Sequence, residues 1–139
     1  MTNFAIAEQA LGKLCHGLQL PITGGPLSSL NELRRRLVSS ENKRFLALER
    51  RIARWSSYRS MRHLLAHATL HCLIDSSGRE IVVTRTLPRD KDDVTPDRMW
   101  TPEEREELLR QATNDSRSIA DQVANIVADA SSIARLRTL

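Results

Sequence analysis

Two cysteines in 139 residues, Cys15 and Cys72, are too few for a disulfide framework, and with no Cys-x-x-Cys spacing they offer no zinc knuckle. Aromatic residues make up 4% of the chain, and Trp55, Tyr58 and Trp100 are too few to form a base-stacking platform, so they are expected as core or interface anchors. No stretch approaches the ~20 consecutive apolar residues of a membrane span. Glu8, Gln9, Lys13 and His16 interrupt the first twenty residues, so no secretory leader is read there. A cytoplasmic chain with reduced cysteines and no membrane partner is the expectation. Gly24-Gly25 lacks the Gly-Lys-Ser or Gly-Lys-Thr that would make it a phosphate loop. Ser56, Ser57 and Ser60 have no identified acidic partner or oxyanion donors, so they read as helix caps rather than nucleophiles.

What the chain has in quantity is arginine and aliphatic side chains at helical spacing. The net charge is +4 and unevenly spread. Residues 28–62 carry ten Lys and Arg against three Glu, a net +7, whereas residues 97–139 carry six Arg against eight Asp and Glu, a net −2. Such asymmetry suggests one region that attracts a polyanion, set against the plainer reading of a solvated arginine-rich helix surface. Arg34, Arg35, Arg36 and Arg59 are the residues expected to touch nucleic acid.

The length suits one domain over residues 1–139 with its own core. Phe4, Ala7, Leu11, Leu14, Cys15 and Leu18 fall at three- and four-residue steps, predicting a helix from about Asn3 to Leu18 that ends at the turn Pro21 to Pro26. Ser28 or Ser29 is expected to cap the next stripe, Leu30, Leu33 and Leu37, then Phe45, Leu48, Ile52 and Trp55, forming one helix or two with a bend at Ser39 to Asn42. A break at Trp55 to Tyr58 predicts a third helix starting near Tyr58. Leu70 to Ile74 and Glu80 to Thr86 flank Asp75-Ser76-Ser77-Gly78 and predict a short hairpin, with a surface loop from Leu87 to Trp100. Thr101-Pro102-Glu103-Glu104 is a strong helix start, with cap, Pro at the first position and capping-box Glu. The stripe Leu108, Ala112, Ile119, Val123, Ile126, Ala130 and Ile133 follows it. The fold class expected is all-α, a four- to five-helix bundle with a small inserted β-hairpin.

Arg62, His63 and His67 lie in the stretch from Tyr58 to Ala68. A guanidinium can hold a phosphate or phosphorane through forked hydrogen bonds, and an imidazole near its normal pKa can take a proton from a ribose hydroxyl. Neither role uses a metal or a cofactor, and none is expected. Arg62 and His67 stand about 140° apart on a regular helix. His63, His67 and His71 recur every four residues, a spacing that can present a metal surface, but no carboxylate joins them and no His-Glu-x-x-His occurs.

Arg62, four residues and His67, with His63 directly after the arginine, resembles the signature of the HEPN superfamily, and the helical layout resembles its fold. That resemblance implies a metal-independent endoribonuclease, with His67 as general base on a ribose 2′-hydroxyl, Arg62 stabilising the phosphorane, and His63 orienting the site or protonating the leaving oxygen. It also implies a homodimer with motif helices paired across a two-fold axis, RNA as substrate, and a toxin–antitoxin or abortive-infection setting with an antitoxin protein as partner. Thr69 stands where one toxin branch of the family has a modifiable tyrosine, so regulation by tyrosine modification is not implied. A non-catalytic helical dimer module that holds nucleic acid or an acidic protein is the alternative.

Overall fold

The computed structural model describes residues 3–21, 23–25, 27–67, 69–85 and 97–139, and of residues 3, 60 and 62–67 it describes the backbone alone. The described residues are mostly helical, with helices α1 (Asn3–Gly17), α2 (Leu30–Ser39), α3 (Lys43–His67), α4 (Pro102–Val127) and α5 (Ala130–Arg137). Between α3 and α4 lie the strands β1 (Thr69–Ile74), β2 (Glu80–Arg85) and β3 (Arg98–Trp100), joined in an antiparallel sheet of order β1-β2-β3. The chain divides into two compact units, residues 1–56 with 112–139 and residues 57–111.

The first unit is built on the aliphatic stripes of the sequence. Leu11 and Leu14 of α1, Leu33 and Leu37 of α2, Leu48, Ile52 and Trp55 of α3, and Ile119 and Ile126 of α4 are fully buried in one cluster with Leu136 of α5. Each such side chain contributes about 1.5–3 kcal/mol on leaving water. The polar interruption after Leu37 resolves as two helices. Glu41 takes a positive φ of 51°, and Asn42 Oδ1 accepts from the Arg44 and Phe45 amides at 2.9 and 3.4 Å, which starts α3 afresh. Ser29 does occupy the cap position of α2, but its hydroxyl donates to the Pro21 carbonyl instead of accepting from the helix. The long C-terminal stripe also divides, because the Asp129 carboxylate accepts from the Ser131 amide and caps α5 separately.

Two expectations are corrected. No break occurs at Trp55 to Tyr58: α3 runs unbroken from Lys43 to His67, and Ser56 and Ser57 are interior to it. The second correction concerns the C-terminal end of the segment read as a loop up to Trp100, where Arg98–Trp100 forms a third strand. Residues 87–96 of that segment, and Thr86 at the end of the expected hairpin, lie outside the described residues. Trp100 is buried opposite Val82, its indole N–H donates to Thr84 Oγ1 at 3.2 Å, and the Arg98 guanidinium stacks 3.8 Å from the centre of its ring.

The hairpin itself stands where the sequence placed it. Gly78, at φ 81°, supplies the left-handed residue that a three-residue loop needs, and its amide donates to the Asp75 carbonyl at 3.0 Å. The Asp75 carboxylate accepts from the Ser77 hydroxyl and from the Ser77 and Arg79 amides, and these bonds hold it below the usual carboxylate range. At the start of α4 the capping box is complete. The Glu104 amide donates to Thr101 Oγ1 at 3.2 Å and the Thr101 amide to Glu104 Oε2 at 2.9 Å. Arg79 pairs with Glu103 at 2.5 Å and Arg105 with Glu80 at 3.3 Å, tying the hairpin to the first turn of α4.

Candidate functional site

Positions 62, 63 and 67 occupy the last turns of α3, and His67 is its final residue. A motif near a helix start could borrow free backbone amides for a phosphate. At a C-terminal end the free groups are carbonyls, which favour cations, so a phosphate bound here has to be held by guanidinium groups. The side chains of Arg62, His63 and His67 lie outside the described residues, as do those of Ser60 and Leu64 to Ala66. The backbone nevertheless fixes their order around the helix. At about 100° per residue, Arg59, Arg62, His63 and His67 fall within one arc of about 140°, with Arg59 and His63 near its middle. Arg59 is exposed. One turn earlier, the Tyr58 hydroxyl bonds Gln111 of α4, and Gln111 in turn bonds Glu107, which Arg110 also grips at 2.5 Å. This chain of polar contacts anchors the α3 segment of the second unit to the first turns of α4.

Arg34, Arg35 and Arg36 belong to the first unit, whereas Arg59 and the motif belong to the second. Arg34 binds Glu49 Oε1 through Nε and Nη2 at 3.0 and 2.8 Å. Arg35 grips both oxygens of Glu32 at 2.8 and 2.7 Å and reaches the Leu139 carbonyl at 3.1 Å. Arg36 bonds Glu32 and the carbonyls of Leu136 and Arg137 at the end of α5. Hydrogen bonds from Arg35 and then Arg36 bring the Glu32 pKa down to about 2. The three side chains differ in exposure rather than in the number of donors engaged. Arg34 and Arg35 bond through Nε and Nη2 and are 35% and 53% exposed. Arg36 bonds through Nε and Nη1 and is 18% exposed.

The most buried charge among the described residues lies on the apolar stripe of α4. Asp115 of α4, its side chain 3% exposed, accepts from Arg51 Nη1 at 3.0 Å and from Arg54 Nε and Nη2 at 2.8 and 2.7 Å. Burial pushes its pKa up, but the Arg54 and Arg51 hydrogen bonds outweigh that, and the net shift is downward. Periodicity could have found it, since position 115 lies on the apolar stripe between Ala112 and Ile119, where a carboxylate has to have a partner. Arginines at 51 and 54, one turn apart on the facing helix, are that partner.

No group of three or more His, Cys, Asp or Glu able to hold a metal ion occurs among the described residues, which do not include the His63 and His67 side chains. No helix of the described residues is long and apolar enough to cross a membrane. No protein-family model, curated protein or solved structure matches the chain.

Proposed function

We propose that this chain is a metal-independent endoribonuclease of HEPN type, folded as a helical bundle with an inserted hairpin and suited to a toxin–antitoxin or abortive-infection system. The observation that carries the reading is the unbroken course of α3 through position 67, which holds Arg59, Arg62, His63 and His67 in one arc of a single helix. In the reaction His67 takes the proton of a ribose 2′-hydroxyl, the 2′-oxygen bonds phosphorus, and the bond from phosphorus to the 5′-oxygen breaks. Arg62 neutralises the phosphorane and His63 returns a proton to the departing 5′-oxygen, giving a cyclic phosphate and a 5′-hydroxyl. Arg59 steers the backbone of the RNA, and Arg34 and Arg35 add phosphate contacts through their remaining guanidinium donors.

The test is gel-based cleavage of a short structured RNA in EDTA by the parent, His67→Ala and Arg62→Ala, with binding measured in parallel. His67→Ala is expected to slow cleavage by at least about 100-fold. Arg62→Ala should do likewise while leaving affinity nearly intact, since one phosphate contact among many adds little to binding and much to the transition state. A second reading, a non-catalytic module holding RNA or an acidic protein, is favoured by the partly exposed guanidinium groups of Arg34 and Arg35. It takes over if the parent cuts no RNA offered, or if Arg62→Ala cuts as fast as the parent.

A further inference from the structure

All six residues of β1 are exposed, with Leu70 and Leu73 each at 53% and Ile74 at 77%. In the neighbouring strand Val82 and Thr84 are buried, as is Trp100 beyond them, so the cover over that face of the sheet stops before it reaches β1. Among the described residues no strand pairs with the outer edge of β1. An exposed, apolar strand with an open edge is a template for another strand.

The direction of its backbone groups follows from the turn. The Asp75 amide donates to the Arg79 carbonyl at 2.9 Å, so these two form a hydrogen-bonded pair. Such pairs alternate along an antiparallel ladder. Leu73, His71 and Thr69, opposite Ile81, Val83 and Arg85, therefore turn their amides and carbonyls toward β2. Leu70, Cys72 and Ile74 turn theirs outward.

We infer that β1 pairs edge to edge with β1 of a second copy of this chain, antiparallel about a two-fold axis at Cys72. Two-fold pairing of antiparallel strands needs one residue opposite its own copy. Centring on Cys72 is the one register that pairs all three outward residues within the strand: Leu70 with the second copy's Ile74, Cys72 with Cys72, and Ile74 with Leu70. Two bonds per pair give six in all. The charge pattern suits an identical strand, because β1 carries no charged residue and this register sets the Asp75 carboxylate opposite Thr69 rather than opposite another carboxylate. One strand edge covers less than the roughly 800 Å² per partner of a standard interface, so the association depends on concentration. The interface is separate from the catalytic reading. Six strand rises of about 3.4 Å set the two Thr69 residues about 20 Å apart, so this two-fold differs from the pairing of motif helices that the HEPN resemblance implies.

Sedimentation across a concentration series, with cross-linking of the full chain, tests the pairing. Opposed residues of a hydrogen-bonded pair have Cα atoms about 5.5 Å apart, within disulfide range. Mild oxidation with diamide should therefore link the parent into a dimer through Cys72. Cys15 is buried with its thiol pKa raised by burial, so it does not compete. Cys72→Ser should lose the cross-link and still sediment as a dimer at high concentration. Cys72→Pro removes only an outward amide and leaves the bonds to β2 in place, so it should keep a cooperative melt while association weakens at least tenfold. A parent that stays monomeric throughout the series overturns the inference, and so does a dimer that survives Cys72→Pro with unchanged strength. The outcome does not depend on whether the chain cuts RNA.

Discussion

The two compact units deal with apolar surface in opposite ways, although both tie arginines to carboxylates. In the first, five helices close over an aliphatic core, and Arg34, Arg35, Arg36, Arg51 and Arg54 are bound to carboxylates of the same unit. The second leaves a whole strand exposed and carries the Arg59 to His67 stretch with its arginine and histidines in one helical arc. The basic stretch of the sequence is thus divided between the units: Arg34, Arg35, Arg36, Arg51 and Arg54 are tied to carboxylates of the first, and positions 59 and 62 run on into the second.

The sharpest way to test that division is to remove bulk from each unit. Ile52→Ala, in the closed core of the first, should lower the free energy of unfolding by about 3 kcal/mol, whereas Leu73→Ala on the open strand should stay within about 0.5 kcal/mol. Urea unfolding of both variants measures the difference, and equal losses would mean that the strand is covered in solution. Next in size is Asp115→Ala, expected to cost about 2 kcal/mol. Three charge-assisted hydrogen bonds are lost, but Arg51 and Arg54 reach water and are not stranded. The Asp115 pKa is depressed in the folded chain, so its contribution is complete above the ordinary carboxylate value of 3.8 and is lost as pH falls through the lower folded value. The parent should therefore lose stability below about pH 4 more steeply than Asp115→Asn.

Smallest, and most informative about the arginines, is a contrast within one helix. Arg36→Gln should cost up to about 1 kcal/mol of stability with no change in the salt dependence of RNA binding. Arg34→Gln with Arg35→Gln should reduce the salt slope by at most about 2, because each retains at most one phosphate contact. If Arg36 alters the slope as much as the other two, the distinction between enclosed and exposed guanidinium groups fails.

Much of this architecture was legible in the sequence because it rests on local rules. The three- and four-residue steps of Leu11, Leu33 and Ile52, the Thr101 to Glu104 capping box and the glycine at the hairpin turn each act over a few residues. What escaped depends on partners distant in sequence. Ser56 and Ser57 are good caps and adequate helix residues, and only the continuous helix decides between those roles. Trp100 was expected as a core or interface anchor, but it follows a polar, proline-bearing segment, and the strand that carries it becomes evident only once Val82 and Thr84 are across from it. The Arg36 contacts span one hundred residues of chain, and the Asp115 pairs more than sixty, so neither had a local signature. Of the candidate site, the order of Arg62, His63 and His67 was plain, but their setting was inverted, at the end of a long helix rather than near the start of a short one.

The chain has two tryptophans, and the fold assigns one to each unit. Trp55 is wholly enclosed with its ring 6.2 Å from Phe4, and Trp100 is enclosed beneath the Arg98 guanidinium. Two indoles shut away from water in different surroundings make intrinsic fluorescence a separate optical reporter for each unit. Trp55→Phe leaves the emission of the sheet-bearing unit alone, and Trp100→Phe that of the helical one. Melting both variants shows whether the two units unfold in one step or in two.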